Sequence, residues 1–156
     1  MGLTLNDVGR RIQEKFPDVQ FVEIPGDPYV LVKPEHIADV CVFLKKTPEL
    51  SFDYCSCVSG LDDGQKMWVV YHLYSISRNH RAVIKVEVDR ADPIVLSVAG
   101  LWKGANWHER ETYDMYGIRF DGHPDLRRIL LPEDWPGHPL RKDYEFPDEY
   151  QGIPLK

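Results

Sequence analysis

A chain of 156 residues, 43% hydrophobic and 28% charged, is long enough for one folded domain with its own core. A formal net charge of −6, with no Lys/Arg run longer than a pair, argues against a nucleic-acid binder. Three cysteines, Cys41, Cys55 and Cys57, do not make a disulfide framework, and no apolar run approaches the ~18 residues that span a bilayer. The first residues match neither a signal peptide nor a transit segment, so the expectation is a cytosolic polypeptide.

Thr4, with an acid at Asp7, predicts the cap of a first helix whose apolar face is Leu5, Val8, Ile12 and Phe16, stopped by Pro17. Val19–Ile24 and Tyr29–Val32 predict a hairpin around Pro25-Gly26-Asp27-Pro28. Pro34 suits the first position of a second helix with Ile37, Val40, Cys41 and Leu44 inward. Three strands follow. In the first, from Ser51 to Leu61, strict alternation puts Phe52, Tyr54 and Val58 on one face and Cys55 and Cys57 on the other. Asp62-Asp63-Gly64 turns into a central strand, Lys66 to Ile76. The third runs from Arg81 to Val88 with Ala82, Ile84, Val86 and Val88 inward, and Ile94–Val98 is a short extended piece.

The order α-β-β-α-β-β-β, with no βαβ alternation and no Gly-rich phosphate loop, predicts an α+β fold. It is a two-layer architecture with a mostly antiparallel sheet covered by helices, plus a further helix and an irregular Pro-rich C-terminal arm. The chain reads as one domain, with a core over residues 1–98 and the further helix and arm over 99–156. Asn106 is the expected cap of the further helix, with Glu109 as its third residue and Gly117 as its stop. Its large residues, Trp107, Tyr113, Met115 and Tyr116, are spread around the helix, which implies contact on more than one side. Half of the twelve prolines lie beyond residue 123, and only a piece such as Leu126–Leu131 reads as regular. The arm is rich in Leu, Ile, Trp and Tyr, unlike a disordered linker, so it is expected to be ordered by wrapping over its own domain or a partner.

The segment 107–144 carries most of the candidate chemistry. His108, His123 and His138 are possible metal ligands, but none lies at the i, i+4 spacing of helical zinc motifs, and His123 and His138 each sit between Gly and Pro. Hydrogen bonding that fixes a turn is the favoured role. Glu109, Glu111 and Asp114 with His108 could form an acid–base group. Pairing with Arg110, Arg127, Arg128 and Arg141 is the simpler reading, Glu111 with Arg127 being one candidate pair. Ser59-Gly60 lacks a nucleophile elbow. Trp, Tyr, Met and Arg are dense between Trp102 and Tyr144, as at interfaces. Composition alone allows either an interface or an irregular flap on the chain's own sheet.

One pattern is specific. Trp107, Glu109-Arg110-Glu111, Asp114-Met115-Tyr116-Gly117, Gly122-His123, Leu126-Arg127-Arg128 and Leu131-Pro132 are followed by Asp134-Trp135 and Gly137-His138-Pro139. The run closes with Arg141-Lys142-Asp143-Tyr144. It resembles the signature of the 30-kDa subunit family of respiratory complex I, whose bacterial members are the C subunits of NADH-quinone oxidoreductase. The resemblance implies a structural subunit of the peripheral arm that docks on the 49-kDa-type subunit at the quinone site, with these residues structural and interfacial. It implies no catalytic site, cofactor or metal in this chain, FMN and iron–sulfur clusters being carried by other subunits. It also implies a peripheral place on the cytoplasmic side of a bacterial or archaeal membrane, reached through the complex. The equivalent subunit of a related complex, with deazaflavin, ferredoxin or a membrane-bound hydrogenase as electron source, shares the signature. A metal-dependent hydrolase is the remote alternative.

Overall fold

The computed structural model describes residues 2–155. Helix α1 (Leu5–Lys15) starts in a capping box: Thr4 Oγ1 accepts the Asp7 N–H at 3.2 Å and the Asp7 carboxylate accepts the Thr4 N–H at 3.0 Å. Strands β1 (Gln20–Val22) and β2 (Tyr29–Val32) form the expected antiparallel hairpin. Helix α2 (Ile37–Lys46) buries Ile37, Val40, Cys41 and Leu44. It begins later than Pro34 suggests, because Lys33–His36 is spent on a turn closed by the His36 N–H on the Lys33 carbonyl at 3.0 Å.

Strands β3 (Tyr54–Asp62), β4 (Met67–Ser75) and β5 (His80–Val88) complete a sheet of order β1-β2-β5-β4-β3. The sheet is mixed: β2 and β5 run parallel because α2, β3 and β4 lie between them in the chain, while the other three pairings are antiparallel. β5 alternates as expected, with Ala82, Ile84, Val86 and Val88 in the core. β3 does not. Its register to β4 shifts between Cys55 and Cys57, so Ser56 is the extra residue of a bulge and parity changes there. Cys55 and Val58 therefore both face the core and Tyr54 faces solvent, against the strict alternation expected.

Strand β6 (Ile94–Leu96), helix α3 (Lys103–Tyr116) and strand β7 (Arg119–Asp121) form a small parallel βαβ unit. Strands of three residues are too short to show a period, which is why the sequence hides it. Strands β8 (Glu149–Tyr150) and β9 (Ile153–Pro154) close a terminal hairpin. The helices share one buried cluster with the inner sheet face, centred on Val8, Ile12, Leu44, Met67, Tyr71 and Ile118. The opposite face, with Trp68, Val70, His72 and Tyr74, stays half-buried or exposed.

Helix α3 sits against β3 where Gly60 lacks a side chain. A Cβ there would lie 2.5 Å from the Tyr116 ring and 3.0 Å from Thr112 Cγ2. Gly60→Ala is therefore expected to lower stability by about 1–3 kcal/mol, as overpacking does, read as a fall in thermal midpoint. An unchanged midpoint would mean that α3 is not seated on this strand.

Candidate functional site

The near-repeat Gly122-His123-Pro124 and Gly137-His138-Pro139 staples the two ends of α3. Both glycines have left-handed backbone, φ 81° and 73°, which lets the chain turn back toward the helix. At the first, the His123 Nδ1 accepts the Asp125 N–H at 3.0 Å, so Nε2 carries the proton and donates to the Asn106 carbonyl at 3.1 Å. At the second, the His138 Nδ1 donates to the Asp114 carbonyl at 2.9 Å. His138 also packs where a side chain at Gly117, the left-handed cap that ends α3, would stand. Asn106 and Asp114 are two turns apart, about 12 Å along the helix axis. The two histidines are turn-fixing groups on opposite ends of a helix, and they do not converge.

Between the staples, Asp114 gathers the arm. Its Oδ2 accepts three successive backbone N–H groups, of Ile129 at 3.0 Å, Leu130 at 2.8 Å and Leu131 at 2.9 Å. Its Oδ1 takes Arg128 Nη1 at 2.8 Å. Arg128 then donates from Nη2 to the carbonyls of Trp135 at 2.8 Å and Gly137 at 3.0 Å. Arg110, one turn earlier on α3, donates to the carbonyls of Arg127 and Arg128 at 3.1 and 2.9 Å. Burial alone would raise the Asp114 pKa. The hydrogen bonds from Leu131, Arg128, Leu130 and Ile129 outweigh burial and hold it below the usual carboxylate range. Residues 126–131 are thus ordered without being helix or strand, contrary to expectation: a side chain satisfies their amides in place of a neighbouring strand.

The second half of the arm is tied to the end of the sheet. Buried Asp62, the last residue of β3, accepts both Arg90 Nε and Nη2 at 3.0 Å and the Lys142 N–H at 2.8 Å. Arg90 also binds Asp143 at 2.6 Å, and Arg141 donates to the Arg90 carbonyl at 3.1 Å. The paired guanidinium holds the Asp62 carboxyl far below its ordinary pKa, against burial. Beyond this clasp the rings of Trp135, Tyr144, Phe146 and Tyr150 pack together at 4.8–6.4 Å between centroids. The Trp135 indole donates to the Tyr144 hydroxyl at 3.0 Å, which donates to the Pro136 carbonyl at 2.9 Å.

The N-cap of helix α3 lies four residues before the expected one. Trp102 occupies the N-cap position, and its buried indole donates to the Phe52 carbonyl at 3.1 Å. Asn106 lies inside the helix. Glu109 is no capping partner: it is wholly buried, its carboxylate accepting Ser97 Oγ at 2.6 Å and the Val98 N–H at 2.7 Å, with His123 Nε2 at 3.9 Å. Burial raises its pKa to about 7 in spite of the two hydrogen bonds. Anchoring the turn between β6 and α3 outweighs the local signal that Asn-x-x-Glu gives.

The acidic residues therefore separate. Glu109 faces the core, Asp114 faces the arm, and Glu111 is exposed. Arg127 pairs with Asp125 at 2.9 Å and not with Glu111. His108 forms neither staple, and its buried Nδ1 lacks a hydrogen-bond partner. Among the described residues, no three His, Cys, Asp or Glu side chains are placed to hold a metal. Met115 contributes its carbonyl to the Leu140 N–H at 3.0 Å, Pro132 its carbonyl to the Trp135 N–H at 3.1 Å, and Leu126 packs on the core. Pro139 follows the second staple. The anchoring role of Ser97 has no sign in the sequence and that of Arg90 only a faint one, while Asp62 reads only as a turn residue and Asn106 only as a cap, because their partners lie up to 80 residues away. The one available signal was Arg90, the sole cation in the break Asp89–Pro93.

A family model described as "Respiratory-chain NADH dehydrogenase, 30 Kd subunit" matches residues 30–150. The C subunit of NADH-quinone oxidoreductase from Roseiflexus sp. (strain RS-1) is 49% identical over 92% of this chain and 85% of its own length. The protein of the same name from Chlorobium phaeobacteroides is 50% identical over 74% of this chain and 71% of its own. Among solved structures, the trypsin-resistant fragment (1–134) of Nqo5 superposes with a TM-score of 0.67 at 28% identity, covering 80% of this chain and all of that one. A chain of the membrane-bound sulfane sulfur reductase, an archaeal respiratory membrane complex, shares the fold with a TM-score of 0.73 at 21% identity, over 90% of this chain and 85% of that one. With the signature residues built into the clasp around α3, and the match running through most of the core as well, the chain belongs to the 30-kDa subunit family of respiratory-chain NADH dehydrogenase.

Proposed function

We propose that this chain is a structural subunit of the peripheral arm of a proton-translocating NADH:quinone oxidoreductase, docking on the 49-kDa-type subunit at the quinone site and contributing no cofactor of its own. One observation carries the reading beyond family membership. The arm is held to its own domain by polar groups, Asp114, Arg128, His138, Asp62 and Arg90, while it leaves apolar ones outside. Trp107 on α3 is 62% exposed and Leu130 on the arm is 61% exposed. Arg110 links the two, lying over the Trp107 ring and holding the Arg128 carbonyl two residues before Leu130. A tryptophan and a leucine exposed side by side with Arg110 on an ordered frame support a surface for another protein. Among the described residues no helix is long and apolar enough to cross a membrane.

The double variant Trp107→Ala/Leu130→Ser tests this without disturbing the clasp. The isolated chain is expected to melt as the wild type does, while incorporation into the detergent-extracted complex falls at least tenfold on a native gel. Full incorporation would overturn the docking surface. A related complex with another electron donor is the second reading, favoured by the shared fold with the sulfane sulfur reductase complex. Its 21% identity, against 49% with the quinone oxidoreductase subunit, places it second.

A further inference from the structure

We infer that the aromatic knot at the end of the arm is a second docking surface, and that its occupant is an arginine-bearing, positively charged segment of a partner protein. The inference rests on the docking reading above and adds the chemistry of the partner. Trp135, Tyr144, Phe146 and Tyr150 make one contiguous group of rings, and Ile153 is paired across the terminal hairpin from Tyr150. Phe146 and Ile153 are 53% and 63% exposed. The rings are fixed in place: the Tyr150 hydroxyl donates to Asp134 at 2.6 Å, and the Gln151 side chain to the same carboxylate at 3.0 Å. A rigid exposed aromatic surface presents area without losing side-chain freedom on binding, as hot spots do.

Charge selects the occupant. Residues 133–155 hold six carboxylates and two cations, a formal −4 out of −6 for the whole chain. Arg141 sits in the clasp, on Asp143 and the Arg90 carbonyl, while Lys142, whose backbone N–H is tied to Asp62, has an exposed side chain. Among the described residues no cation pairs with Glu133, Asp134, Glu145 or Glu149. A second copy of this chain would bring like charge to the same place and is disfavoured. An arginine satisfies both halves of the surface, since its guanidinium stacks on ring faces and pairs with carboxylates.

The test uses the assembled complex, extracted in mild detergent from cells carrying the variant chain and washed with rising NaCl. The charge reversal Glu133→Lys/Glu145→Lys/Glu149→Lys is expected to lower the salt concentration that releases half of this chain by at least twofold. A matched reversal of three exposed acids elsewhere, Glu14→Lys/Glu35→Lys/Glu49→Lys, is expected to leave it unchanged. Wild-type salt resistance in the first variant, or equal loss in both, overturns the basic-partner inference. If Trp107→Ala/Leu130→Ser also assembles normally, the docking reading falls with it. If that variant alone drops out, docking stands and only the partner's chemistry is wrong. An unchanged thermal midpoint of each isolated chain shows that the substitutions act at the contact.

Discussion

Asp114→Ala is expected to detach the arm from α3 while the sheet stays folded. The side chain is wholly buried and serves four donors: three consecutive amides and one guanidinium. Removing it strands Arg128, 13% exposed, without its counter-charge and leaves three amides without their acceptor. Breaking a buried pair in this way costs roughly 3–5 kcal/mol. The readout is local. Trypsin is expected to cut the variant after Arg127 and Arg128 much faster than the wild type, and amide exchange at residues 129–131 is expected to rise by orders of magnitude. Arg128→Ala should do much the same, and the two changes together should cost far less than their sum, because they remove one network. Resistance of Asp114→Ala to trypsin would show that the carboxylate does not hold the arm. Acid gives the same result without mutation. The Asp114 pKa lies below its unfolded value, so its contribution is present above the unfolded pKa and lost as pH falls through the folded one.

Glu109 predicts the opposite slope. Its folded pKa, about 7, lies above the ordinary 4.5, so the folded chain binds the extra proton between those values. By linkage, stability falls as pH rises from about 4.5 to about 7, by roughly 3 kcal/mol in all, because a buried carboxylate must then be charged. Glu109→Gln keeps Oε1 as acceptor for the Val98 N–H, turns an amide N–H toward Ser97 Oγ, which can accept it, and carries no charge. Its thermal midpoint is expected to match the wild type near pH 5 and to exceed it by several degrees at pH 8. Taking the difference between the two proteins cancels the acid-side losses of Asp114 and Asp62. Parallel curves for the two proteins across this range would show that Glu109 is already charged, and at ease, in the folded chain.

The pattern of these two carboxylates explains why family signatures of this kind read poorly as chemistry. Glu109, Glu111 and Asp114 lie within six residues on one helix, and a helix turns them to three different environments. One is buried by the sheet, one is exposed, and one is wrapped by the arm. Their nearness in sequence suggested a shared role that the 3.6-residue period removes. The histidines behave likewise. Two copies of Gly-His-Pro fifteen residues apart read as turn-fixing groups, and the arm runs along α3 and delivers the two rings to its opposite ends.

Local pattern was enough for the capped first helix, the apolar face of α2, the β1–β2 hairpin, the central strands, the Gly117 stop and the family. Each of these rests on a local rule: a cap, a period of 3.6 or 2, a left-handed glycine, or a long run of specified residues. Long-range packing set the parallel β2–β5 pairing, the bulge at Ser56, the early start of α3 and the course of the arm. Those depend on partners dozens of residues away: the Phe52 carbonyl for Trp102, Ser97 and Val98 for Glu109, and Arg90 for Asp62 and Asp143. A buried polar group must find a partner wherever the fold provides one, and that demand is set by burial, which no local pattern records.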